Sequence, residues 1–178
     1  QGKYLDAENH ARRALQIYET TSSGNQLYIA NTLSTIANIL NEVGRYAEAQ
    51  NLTNNALSVL NEIFGSNHYL VAITLNDLAS LHQSQGNFSK AKLLFDRAFS
   101  ISKAALGPDH PHTANIISNL GNYYFELGIY REAEIFLLEA LVNRRKILGK
   151  HHPDTGITLN NLGLLNSEWG RYSKREAF

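Results

Sequence analysis

The sequence has no cysteine and no methionine, only three prolines and a single tryptophan. Without cysteine there can be no disulfide framework, no thiolate nucleophile and no cysteine-ligated metal. An excess of charge of either sign is also missing: sixteen Lys and Arg balance sixteen Asp and Glu. No net field draws the chain to nucleic acid or to an anionic membrane, so neither is an expected partner. No apolar run approaches the roughly 18 residues that a membrane-spanning helix needs, and the opening residues lack the pattern of a secretory signal. The cytoplasm is the expected compartment. The lack of methionine and a start inside a repeat read as a segment of a longer protein. A phosphate loop, a dinucleotide glycine pattern, a His-Glu-x-x-His helix and a nucleophile elbow are all absent, so neither an enzyme nor a cofactor is expected.

What is present is a period. Gly44, Gly86, Gly128 and Gly170 recur every 42 residues, and Gly2 extends the series. An aromatic follows each two residues later: Tyr4, Tyr46, Phe88, Tyr130 and Tyr172. Alanine follows at Ala7, Ala49, Ala91 and Ala133, and again at Ala14, Ala56, Ala98 and Ala140. A fixed period along a whole chain is the mark of a stacked-repeat solenoid, in which each unit buries its apolar face only against its neighbours.

Each period reads as two helices. The first carries Ala30, Leu33, Ile36, Ala37 and Leu40 at helical spacing. The same register gives Ala72, Leu75, Leu78, Ala79 and His82, then Ala114, Ile117, Leu120, Gly121 and Tyr124, then Gly156, Leu159, Leu162, Gly163 and Asn166. Small residues at 37, 79, 121 and 163 let a partner helix approach closely, and the period glycine ends the helix in a left-handed conformation. The second helix of the third pair spans about Tyr130–Ile147, with Ala133, Phe136, Leu137, Ala140 and Leu141 inward. Gly107 and Gly149 stop second helices, and Pro111 and Pro153 suit the first turn of the helices that follow. The expected array is a partial repeat over 1–26, full repeats over 27–68, 69–110 and 111–152, and a truncated repeat over 153–178.

The Leu-x-x-Leu-Ala/Gly helix, the Gly-x-Tyr-x-x-Ala turn and the later Ala-Leu resemble tetratricopeptide repeats. Their usual period is 34; with 42, and with blocks such as Leu148-Gly149-Lys150-His151-His152-Pro153 and Thr158-Leu159-Asn160-Asn161-Leu162-Gly163, the chain is similar to the long-repeat subclass of kinesin light chains. The resemblance implies an all-α, right-handed superhelical solenoid of antiparallel helix pairs. It also implies a scaffold that binds a peptide of another protein in a concave groove lined by the first helices. The alternative is a structural or sensor arm that packs on a neighbouring domain of its own protein or self-associates through its repeat ends.

With apolar positions used for packing, the groove-facing stripe falls on polar residues, and asparagine dominates it. Candidate peptide-binding residues are Asn38, Ile73, Asn76, Asn115, Asn119, Asn122, Phe125, Asn160, Asn161 and Leu164. An asparagine amide offers donor and acceptor together, the complement of a peptide bond. Asn119 and Asn161 precede the repeat leucine, where such an amide often holds a peptide backbone in peptide-binding members; Thr35 and Asp77 stand there in the other copies. Ile73, Phe125, Ile157 and Leu164 are expected to be exposed and to form side-chain pockets. The first-helix windows 27–43, 69–85, 111–127 and 153–169 hold no Lys or Arg but do hold Glu42, Asp77, Glu126, Asp154 and Glu168. Capture of an acidic tail needs cations there, so the expected ligand is a neutral to mildly basic peptide. His110 and His152 recur at the 42-residue spacing and belong to the loop design; with loops about 10 Å apart no shared metal is expected. Trp169 is expected to pack rather than to bind.

Overall fold

The computed structural model describes residues 2–21 and 24–176, and side chains as far as Gly170. Among these residues there are eight α-helices and no strand. The chain divides into two compact units, one ending at Ile101 and the other beginning at Ser102.

The first unit holds α1 (Gly2–Thr20), α2 (Gln26–Glu42), α3 (Tyr46–Phe64), α4 (Tyr69–Ser84) and most of α5 (Phe88–Leu106). Its core forms where the stripes of α2, α3 and α4 meet: Ile36, Ala37, Leu40, Ala49, Leu78 and Leu81 are buried together, with Ala11 and Leu15 of α1 packed against them. Full burial of an aliphatic side chain such as Ile36 or Leu40 contributes roughly 1.5–3 kcal/mol. The alanines at 30, 37, 49 and 56 are at most 1% exposed, and they keep the helix axes close. His82, which takes a large apolar position in the repeat, is buried, and burial holds its imidazole below the ordinary histidine pKa, with Lys90 acting in the same direction. It serves as a neutral core side chain.

A closed ring of four charges ties α1 to the start of α3. The Glu8 carboxylate, buried on α1, accepts from Arg12 at 2.8 Å and from Arg45 at 2.8 Å, and both arginines also bond Glu48. The hydrogen bond from Arg12, then that from Arg45, holds the Glu48 carboxyl below its ordinary range.

The second unit holds the last turn of α5, then α6 (Pro111–Glu126), α7 (Tyr130–Leu148) and α8 (Pro153–Glu176). Ala133, Leu137 and Leu141 of α7 are buried against Leu162 and Leu165 of α8, with Tyr124 and Phe125 of α6 at the edge. Tyr124 stacks on Phe136 with ring centroids 5.4 Å apart, and Trp169 stacks on Tyr130 at 6.3 Å, the packing role expected of it.

The loops that start α6 and α8 share one construction. Gly107 and Gly149 have φ near +86° and +88°, which only glycine adopts without strain. Thr113 and Thr155 each donate to the preceding glycine carbonyl at 2.9 Å. His110 and His152 are N-caps: their Nδ1 atoms accept from the backbone N–H two residues on, each at 3.2 Å, and His68 does the same at 3.3 Å. Pro111 and Pro153 open the helices that follow. The recurring histidines are therefore helix caps, which satisfy donors that a helix start leaves open.

Two expectations need correction. Gly170 does not end its helix: α8 continues through it to Glu176, whereas Gly44, Gly86 and Gly128 turn the chain with φ of +80°, +73° and +72°. Those glycines reverse the chain so that a second helix can fold back on the first; among the described residues no helix folds back on α8, and helical hydrogen bonding simply runs on. For the same reason the small residue at 163 lacks its expected role. A Cβ on Gly121 would lie 2.7 Å from Leu137 Cγ, but one on Gly163 would meet nothing within 4 Å.

This contrast predicts opposite outcomes for one substitution. Gly121→Ala should lower stability by about 1–3 kcal/mol by forcing α7 away from α6. Gly163→Ala should raise it by about 0.5–1 kcal/mol by removing backbone freedom from an open helix face. Urea denaturation followed by circular dichroism measures both.

Candidate functional site

In the second unit α6 and α8 lie side by side, and the core residues of α7 pack on both. The asparagine stripe runs along α6 and α8. Asn115, Asn119 and Asn122 follow one another at i, i+4 and i+7, which places them on one face of α6. Each is half-buried.

The stripe ends at a cleft of about 190 Å³ lined by Asn122, Phe125 and Glu126 of α6 and by Asn161 and Leu164 of α8. Four of these five residues are sequence-derived candidates. The Asn161 amide donates to Asn122 Oδ1 at 2.9 Å across the cleft, and each amide keeps its other polar atom unburied. Phe125 is half-buried, its ring 6.2 Å from Tyr130, while Leu164 is 52% exposed. Glu126 is an exposed carboxylate at the cleft. Asn160 and Ile157 are exposed on the same helix outside the lining. The cleft thus joins an amide pair, two apolar side chains and one negative charge, and neither of its helix windows, 111–127 and 153–169, supplies a cation.

The candidates on the first unit are not gathered in this way. Asn38 is exposed on α2, Ile73 is half-buried on α4, and Asn76 is buried with its amide donating to Asp77 Oδ1 at 3.4 Å. Asp77 occupies the register of Asn119 and Asn161. Burial pushes its carboxyl up to about 6, against the opposing effect of the Asn76 hydrogen bond.

Sequence reasoning passed over Arg144. This α7 residue is only 6% exposed, and it reaches both helices of the cleft. Its guanidinium donates to Asn115 Oδ1 at 2.6 Å on α6, and to Thr158 Oγ1 at 2.6 Å and the Asp154 carbonyl at 3.0 Å on α8. None of these acceptors is charged, and burial lowers the Arg144 pKa from its ordinary value. The signal was in the period: Arg144 occupies the register of Leu60 and Ser102, both buried. Asn143, beside it, donates to the Pro108 carbonyl at 3.2 Å and secures the loop before α6. Among the described residues no group of three or more His, Asp or Glu is placed to hold a metal, and no helix is long and apolar enough to cross a membrane.

The sequence model of the family described as tetratricopeptide repeat matches residues 1–52, 28–104, 93–146 and 124–174. The chain belongs to the tetratricopeptide repeat family. No curated protein matches the chain. Among solved structures, BtubC (BKLC) from P. vanneervenii is similar over 99% of this chain and 70% of its own, with 24% identity and a TM-score of 0.78. A putative kinesin light chain from Podosopora anserina with nearly identical repeats is similar over 99% and 83%, with 19% identity and a TM-score of 0.69. Aspartyl phosphate phosphatase F from Bacillus subtilis is similar over 93% of this chain and 40% of its own, with 18% identity and a TM-score of 0.74. Identities this low speak for the fold alone. The kinesin-light-chain-like neighbours are consistent with the 42-residue, long-repeat subclass. The family places this tetratricopeptide repeat chain among protein–protein interaction scaffolds.

The raised pKa of Asp77 carries a pH prediction. A carboxyl whose folded pKa lies above its unfolded value stabilises the fold below the unfolded pKa, near 4, and loses that contribution as pH rises through about 6. Asp77→Asn should therefore raise the urea midpoint at pH 7.5 by the equivalent of about 1–3 kcal/mol. The gain should shrink to nothing by pH 4, as denaturation of both proteins at the two pH values would show.

Proposed function

We propose that the cleft between α6 and α8 binds a short peptide segment of a partner protein. The carrying observation is the convergence of the Asn122–Asn161 amide pair with Phe125 and Leu164 in one cleft. An amide pair with free polar atoms can bond a peptide backbone of almost any sequence, and the apolar walls then select one side chain. A volume of about 190 Å³ suits a single aliphatic or aromatic side chain rather than a folded partner. Glu126 at the mouth, with no Lys or Arg on either helix face, favours a ligand that is neutral to mildly basic. Asn119 and Asn160 extend the same surface along α6 and α8.

The open side of α8 supports a second reading. Leu159 is 42% exposed there, and Gly156 and Gly163 leave room for a close helix. A neighbouring domain of the same protein or a second copy would fit that side, and the chain would then act as an arm.

A peptide-display selection on the whole chain, counter-selected against Asn122→Ala/Asn161→Ala, separates the two. The cleft reading predicts an enriched motif with one large apolar residue and no acidic neighbour, bound at least tenfold more weakly by the double variant, with both proteins equally folded by circular dichroism. A motif bound equally by both proteins, or no enrichment, overturns it in favour of the arm.

A further inference from the structure

Asn115 stands apart from the cleft lining, yet its amide is held in one orientation. A guanidinium carries donors only, so the Asn115 atom that faces Arg144 Nη2 at 2.6 Å must be the oxygen. Arg144 cannot turn away, because its Nη1 is held by Thr158 Oγ1 and by the Asp154 carbonyl, to which the Thr158 hydroxyl also donates at 3.0 Å. Its Nε is buried and makes no hydrogen bond. The Asn115 oxygen is therefore committed to the interior. Its Nδ2 makes no hydrogen bond within the described residues and is not buried, and it lies on the face of α6 that carries Asn119 and Asn122.

We propose that Asn115 is a donor-only subsite of the peptide groove, that it reads a main-chain carbonyl of the bound peptide, and that Arg144 is the positioning residue that makes it so. The proposal rests on the peptide-binding reading of the α6–α8 face and extends it by about two helical turns toward the start of α6. A cation bonded to the amide oxygen draws electron density from the N–H groups, so the donor is stronger than that of a free asparagine. The pairing is specific to this repeat. The Asn115 register holds Asn31, Ile73 and Ile157 elsewhere, and the Arg144 register holds Tyr18, Leu60 and Ser102; asparagine and arginine coincide once. A peptide bound here must turn an acceptor toward the Asn115 position, which fixes its register along α6.

Asn115→Asp separates this role from a structural one. Aspartate keeps the acceptor that Arg144 needs, and adds charge to it, but has no N–H to offer. With a peptide taken from the selection above as probe, the affinity of the Asn115→Asp chain should fall about tenfold while its urea midpoint does not fall. Arg144→Leu, which installs the residue found at this register in α3, should weaken the same peptide three- to fivefold by freeing the Asn115 amide to rotate, and Arg144→Lys should recover most of that loss. Unchanged affinity in Asn115→Asp, with the peptide still lost from Asn122→Ala/Asn161→Ala, overturns the donor subsite and leaves the cleft reading intact. A peptide indifferent to the double variant, or no peptide at all, overturns both.

Discussion

Close approach of paired helices is the constraint on which the rest depends. It is set by small residues at fixed register: Ala30, Ala37, Ala49 and Ala56 in the first unit, and Gly121 against Leu137 in the second. Because the axes pack closely, each helix spends its apolar and small positions on neighbours, and polar residues are left for the remaining face, as with Asn115, Asn119 and Asn122 of α6. The proposed binding face is thus a by-product of packing geometry. Where no partner helix covers the small residue, as at Gly163, the local consequences disappear together: the residue is exposed, and the period glycine that should reverse the chain stays helical.

The loops make that geometry reproducible. A positive-φ glycine, a threonine bonded back to its carbonyl, a histidine cap and a proline at the first turn set the entry of α6 and α8 in the same way. Each element satisfies or removes a backbone group that a helix end would leave unpaired. Histidine in this role departs from the usual small oxygen-bearing caps, and it works because Nδ1 can accept from the same N–H that a serine or aspartate would.

Much of this was legible in the sequence, because a period multiplies weak signals. The helix pairs, the inward alanines and the loop role of the histidines each recur at a fixed spacing, and agreement between copies outweighs the ambiguity of one. Legibility failed where one copy departs from the rest through its three-dimensional surroundings. That Asn76 is buried while Asn160, at the equivalent register, is exposed depends on packing that helical spacing does not encode. Arg144 shares its register with the buried Leu60 and Ser102, but its bond to Asn115 depends on how α7 meets α6 and is not encoded in the spacing. Glu126 entered the sequence reading as a charge to be counted, and the structure gives it a place beside Asn122 and Leu164. The proposed ligand preference rests on that placement more directly than on the charge count.

Peptide recognition is proposed on the face of α6 and α8 that carries the cleft. A titration of the isotope-labelled chain with a selected peptide, followed by backbone and side-chain amide NMR, tests it most directly. The largest shifts should fall on Asn122, Phe125, Asn161 and Leu164, with the asparagine side-chain amides moving most. Shifts confined instead to the exposed aliphatic residues of α7, Ile135, Leu138 and Val142, would contradict it and place the partner on the opposite side of the unit.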